Sequence, residues 1–264
     1  MKTLISESRN ELITKIVRTL ELKANEIAEM VELYYDCQHL RIAHANKERT
    51  EPPSELAEWL DFWTRAGETV IAGALKRWIE SADSPAECKW AYDQVGIGPV
   101  IASGLAAHID IEKAQSISAV WKFSGLAPGS DRKIKGTKLA YNARLKTLCW
   151  KLGESFVKVS GKEGATYGKL WAGFKVEEVR RNDEGKYAAA AATELATKKI
   201  KVPEVKKTLE AGRLTKDHLH ARSKRRAVKI FLAHYWTIGR EARGLAVREP
   251  YSKRILGHDG IIEP

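Results

Sequence analysis

No run of apolar residues in the chain approaches the roughly 18 to 20 that a membrane span requires, so no transmembrane segment is expected. The opening residues, MKTLISESRNELITK, hold neither an apolar signal region nor a cleavage site, which points to a cytoplasmic protein. Cysteine is scarce: Cys37, Cys88 and Cys149 are odd in number, far apart and without CxxC spacing. That excludes a disulfide framework and a zinc site and leaves buried thiols in a reducing compartment. There is no Walker loop, no dinucleotide fingerprint and no metal motif, so neither a cofactor nor a metal is expected. His218 and His220 lie two apart on a helical pattern, point about 200° away from each other and cannot share a metal. Period-two alternation, the mark of strands, is nearly missing.

What is present is charge and helix-forming sequence. The formal net charge is +11, and 44% of the residues are hydrophobic, as in a globular protein. The charge is segregated: residues 1–110 carry 12 Lys/Arg against 18 Asp/Glu, and residues 111–264 carry 33 against 16. Such an asymmetry suits a polyanion binder, because neutralising phosphates releases counterions and drives association.

The pattern predicts a mainly α protein in three parts. Residues 1–82 form an antiparallel, coiled-coil-like helical arm suited to dimerisation; 83–160 form a basic helical domain with a helix-hairpin-helix motif. Residues 161–264 are an exposed connection and a long basic C-terminal helix. In the arm, residues 4 to about 44 lack proline and glycine and space Leu12, Ile13, Val17, Leu20, Ile27, Val31 and Leu33 as one long helix, paired in a hairpin or coiled coil. Ser54 caps a second helix, and "SPAE" at Ser84–Glu87 starts a short one. Residues 160–186 are glycine-spotted and polar and read as a connection or lid. The last helix places Leu219, Ile230, Phe231, His234, Tyr235 and Ile238 inward, with His234 as a hydrogen-bonded core histidine.

Three features point to phosphate binding. The first is Val95-Gly96-Ile97-Gly98-Pro99-Val100, a hydrophobic-Gly-x-Gly turn between two short helices. It is either an ordinary packed turn or a cradle in which glycines with positive φ bring the backbone amides, and the start of the next helix, up to a phosphate. The second is the run Arg132, Lys133, Lys135, Lys138, Arg144 and Lys146, with Asp131 its one acid over sixteen residues. The third is "HARSKRRAVK", whose Arg222, Lys224, Arg225, Arg226 and Lys229 form a basic stripe above an apolar face, able to track a phosphate backbone. Trp59, Trp63, Trp78, Trp121 and Trp150 read as core; Trp171, in the glycine-spotted segment, is the candidate for base stacking. Glu177, Glu178, Asp183 and Glu184 read as surface charge, and "GHDG" at 257–260 as a turn.

The order of these motifs resembles a known family. "VGIGPVIASGLAAHIDIEKAQSISAVWKFSGLAPG", a basic glycine-containing segment and "YNARLKTLCWKLGESF" look like the C-terminal transposase domain of the IS-one-ten insertion-sequence transposases. The resemblance covers about residues 84–160, and the helices before it are similar in placement to that family's coiled-coil arm. It implies a DNA recombinase with a RuvC-like domain carrying four acidic metal ligands and a C-terminal domain supplying a serine nucleophile, working as an oligomer, in better-understood members with a structured guide RNA. This chain opens on a helix with no room for a ribonuclease-H-like sheet before residue 54, so that metal site is not expected here. Ser130 is the nearest match to the nucleophile but lies closer to Pro128 than the family's spacing. Arg132 and Lys133 occupy the more usual offset, and no general base is identifiable in the sequence. A loop-capping or phosphate-contacting hydroxyl is the alternative role.

The function expected is therefore nucleic-acid binding in DNA transposition or recombination. DNA is the first partner, structured RNA the second, and a further copy of the chain is bound through the N-terminal helices. An active serine recombinase and a structural helical interaction protein are the alternatives.

Overall fold

The computed structural model describes residues 2–47, 49–50, 54–129 and 136–247, and every regular element among them is helical. They divide into two compact units. The boundary expected near residue 82 falls inside the first, which holds residues 2–93, 97–115 and 237–247.

In the first unit, α1 (Lys2–Thr19) ends early. The single helix expected from residue 4 to about 44 is broken, and neither proline nor glycine breaks it. The Arg77 guanidinium donates to the Val17 carbonyl, engaging a backbone acceptor in the last turn of α1. Glu26 Oε2 then accepts from the Lys23 backbone N–H at 2.8 Å, which starts a short 3₁₀ turn, Ala24–Glu26, leading into α2 (Ile27–Lys47). The following helix, α3 (Glu55–Glu80), begins where expected, Ser54 Oγ accepting from the Ala57 N–H at 3.2 Å. It packs on both neighbours. A Cβ on Gly73 would lie 2.7 Å from Val17 Cγ1, so this glycine sets the approach of α1. On α2, Arg41 grips Glu68 in a fork of 2.5 and 3.2 Å. Two short helices follow, α4 (Ala86–Asp93) and α5 (Pro99–His108), and α5 packs on α2, α3 and α4. Glu87, buried on α4, is bound by both terminal nitrogens of Arg243 at 2.9 and 3.0 Å.

The second unit holds residues 94–96 and 116–236. Ser116 caps α6 (Ile117–Phe123) and Asn142 caps α7 (Ala143–Val159), each side chain accepting from the amide three residues on. Leu145, Leu148, Leu152 and Phe156 form the inward stripe of α7, as their spacing predicts, and all are buried. The segment 160–186 is not an exposed connection: most of it is α8 (Thr166–Asp183), with Tyr167, Gly168, Trp171, Glu178 and Asn182 buried. Its glycine at 168 is there for packing, since a Cβ would come within 2.7 Å of Ser160 Cα. The chain continues through α9 (Ala188–Thr197), α10 (Pro203–Glu210) and α11 (Lys216–Glu241). Phe231 and Tyr235 of α11 stack against each other, and Phe231 also packs on Phe156 and Tyr167, ring centroids 5.0 to 6.4 Å apart. His234 is the expected core histidine, its Nδ1 2.6 Å from the Tyr167 hydroxyl. Tyr187, Ala191, Leu209, Leu214 and Leu219 make a smaller cluster.

Candidate nucleic-acid interface

The glycine turn is asymmetric. Gly96 has φ +98°, the positive value the pattern calls for, and a Cβ there would sit 2.9 Å from Val159 Cγ2. The Gly96 carbonyl accepts from the Ser155 hydroxyl. Gly96 is therefore held against α7, and its freedom serves packing. Gly98 is ordinary extended backbone at φ −87°, the N-cap of α5, with Pro99 in the first turn and nothing within 4 Å of the place a Cβ would occupy. Val100 faces the core, 7% exposed, so only its backbone could meet a ligand.

The other two basic features meet in part. A groove of about 910 Å³ is lined by Gly125 to Gly129, the "GLAPG" loop after α6, by Lys146, Cys149, Trp150 and Gly153 of α7, and by His218 to Lys229 of α11. Glu178, Glu194 and Lys198 also line it. Seven Lys/Arg side chains line this groove against two glutamates. The loop is carried by Gly125, whose φ of +70° lets it fold onto Tyr141 and the Lys146 stem. Lys138 and Arg144 are exposed, with neither lining the groove. Ser130, Arg132, Lys133 and Lys135 lie outside the described residues, as does the "GHDG" segment.

The stripe on α11 is not uniformly a solvated cationic face. Arg222 Nε donates to Glu178 Oε2 at 2.8 Å, and Arg226 Nη1 reaches Glu177 at 2.8 Å and Glu178 at 3.2 Å. The Tyr187 hydroxyl adds a third partner, 2.6 Å from Glu178 Oε2. Arg222 also stacks over Tyr187 and Arg226 over Phe174. Burial raises the Glu178 carboxyl, but Tyr187, Arg222 and Arg226 together outweigh it and hold it below the ordinary value. Glu178 is thus a buried anchor and not surface charge, and these two arginines fasten α8 to α11. Lys224 donates to Glu154. Further along the same stripe, Arg225 is exposed, and Lys229 sits with its Nζ 4.7 Å from the Trp121 ring centroid. Burial, and then the charge of Arg225, hold the Lys229 ammonium below the usual lysine value. The Arg225 charge thus disfavours the charged form of Lys229, and an anion bound beside Lys229 would favour it.

Two aromatic expectations are corrected. Trp171 is buried, edge-on to His220, and is no stacking platform. Trp59, Trp63 and Trp150 are not core residues but 56%, 53% and 61% exposed. The sequence presents His218 only as a rejected metal ligand and gives no sign of its pairing with Glu194, whose Oε2 lies 3.0 Å from the His218 Nδ1 in the groove. The 24 residues separating the two left no local signal for this pair. Among the described residues no group of three His, Cys, Asp or Glu could hold a metal ion, and no helix is long and apolar enough to cross a membrane. No protein-family model, curated protein or solved structure matches the chain.

Proposed function

We propose that this chain binds nucleic acid by its phosphate backbone and acts in DNA transposition or recombination, in the cytoplasm, as the C-terminal domain of an insertion-sequence transposase does. The observation that carries the reading is the groove on the second unit, lined by seven Lys/Arg side chains, Arg225 and Lys229 among them, together with the "GLAPG" loop. Lys146 and Lys224 extend the cationic lining along it. Arg132, Lys133, Lys135, Lys138 and Arg144 add charge from the sequence that follows the loop. The turn at Gly96–Gly98 is read as a helix-hairpin-helix whose open side is at Gly98, with the first amides of α5, including that of Val100, directed to a phosphate. The N-terminal helices join two copies as a coiled-coil-like arm. DNA is the ligand, and structured RNA the second choice.

The test is a titration of duplex, branched and single-stranded DNA and a structured RNA at several salt concentrations. A surface neutralising about six phosphates loses on the order of a thousandfold in duplex affinity between 50 and 200 mM salt. Arg225→Glu combined with Lys229→Glu should abolish most of that binding and flatten the slope. Weak, salt-independent binding by the unaltered chain would overturn the reading.

A serine-dependent recombinase is the second reading, and His218 is what favours it. A histidine oriented by a carboxylate is the arrangement of a general base, and it lines the same groove as Gly129, the residue before Ser130. Covalent protein–DNA adducts that disappear on Ser130→Ala and on His218→Ala would establish this activity; their absence from the unaltered chain would remove it.

A further inference from the structure

The core of the second unit has no use for Trp150. The buried stripe of α7 runs through Leu145, Leu148, Cys149, Leu152 and Phe156, and at 100° per residue position 150 lies well off its centre. An indole left 61% exposed gives up most of the stabilisation that burial would bring. It is nevertheless tethered. Lys224 Nζ lies 5.7 Å from its ring centroid, and Lys224 is in turn bonded to Glu154, one turn along α7. Gly153, between them on the same helix, lets α11 come close, with Val228 Cγ2 only 3.3 Å from where its Cβ would be. The ring thus stands at the wall of the cationic groove, braced from one side.

We infer that Trp150 is a stacking platform for an unpaired base and that the groove takes single-stranded nucleic acid, phosphates on Arg225 and its neighbours and a base on the indole. The inference rests on the groove being a phosphate-binding surface. The physical reason for a single strand is geometric. In a duplex both faces of each base are already covered by the bases above and below, so an indole at a groove wall finds a free face only on an unstacked nucleotide. Stacking accepts any base, because every base has a π-face, while the cations fix the backbone. A ring already held by Lys224 loses little freedom when the base arrives.

The test uses the full chain with three labelled probes at moderate salt: an oligothymidylate, an oligouridylate and a mixed-sequence duplex. Removing one stacked base contact corresponds to about a 5- to 150-fold loss. Trp150→Ala should show that loss on the oligothymidylate, the oligouridylate or both, with duplex affinity unchanged, while Trp150→Phe retains most of the binding. The two single strands differ in the 2′-hydroxyl and in the thymine methyl, and together they report whether the groove prefers deoxyribo- or ribo-strands. The quenching of tryptophan fluorescence by oligothymidylate should also fall in Trp150→Phe, a change that a merely structural role would not produce. Equal losses on duplex and single strands, or none, would overturn the stacking role while leaving the groove intact if Arg225→Glu still weakens all three. Should the unaltered chain bind none of the probes, or Arg225→Glu leave all three unaffected, the groove reading fails and the stacking role with it.

Discussion

Gly96 and Gly98 occupy one turn and carry opposite demands, which makes them separable by experiment. Gly96 needs both a positive φ and the missing Cβ, so Gly96→Ala should destabilise the fold by about 1–3 kcal/mol, read as a lower Tm. Gly98 needs neither. Gly98→Ser places a hydroxyl where an N-cap serine can accept from the next amides, so stability should hold or rise by a few tenths of a kcal/mol. If the turn receives a phosphate at Gly98, the same variant loses nucleic-acid affinity without losing Tm; unchanged affinity would make the turn a packing device alone. The glycine pattern was legible in the sequence, but the division of labour was not. It depends on Val159 and Ser155, about sixty residues away, meeting Gly96. The tryptophans carry the same lesson: Trp78 is buried and Trp150 exposed because of which face each helix turns inward, and that follows from neighbours a helical period does not name.

At the scale of elements, the joint between α8 and α11 is aromatic where Tyr167 packs on Phe231 and ionic where Glu178 holds Arg222 and Arg226. Glu178→Gln leaves Arg222 and Arg226 facing an amide and should cost about 2–3 kcal/mol, the partly exposed guanidinium groups being screened on their outer side. The pH dependence has a definite sign. Because the folded-state carboxyl lies below its ordinary value, its contribution is fully present above the unfolded value near 4.3 and is lost as pH falls through the folded one. Acid unfolding followed by circular dichroism should show a shallower acid limb in Glu178→Gln; an unchanged limb would assign the acid sensitivity elsewhere. Long helices with caps, α3 and α11, were legible from period and punctuation. The stretch holding α8 was not, since its glycines read as loop signals although Gly168 serves a close approach to α7. Nor was α10 singled out, although Pro203 marks its first turn. The break between α1 and α2 is a third case, because Arg77 of α3 engages a carbonyl at the end of α1.

For the whole molecule, charge segregation separates two kinds of association that the proposed function combines. The first 110 residues are net acidic, and there α3 exposes Leu56, Trp59 and Trp63 along one face, the two indoles 6.0 Å apart. Contact between copies through that face buries apolar surface between like-charged partners. Salt screens the repulsion and leaves the hydrophobic gain in place. Self-association through the arm should therefore tighten as salt rises. Binding of nucleic acid to the basic second unit should weaken over the same range, because its driving force is counterion release. Sedimentation equilibrium from low to high salt, with the double variant Trp59→Ser, Trp63→Ser as control, tests this directly. The expected result is a dimer strengthened by salt and lost in the double variant, with the Tm preserved because both rings are exposed. A dimer dissociated by salt would place the contact on complementary charge and away from the tryptophan face. A monomer at every salt concentration would remove the arm as a dimerisation element and leave the groove of the second unit to act in a single chain.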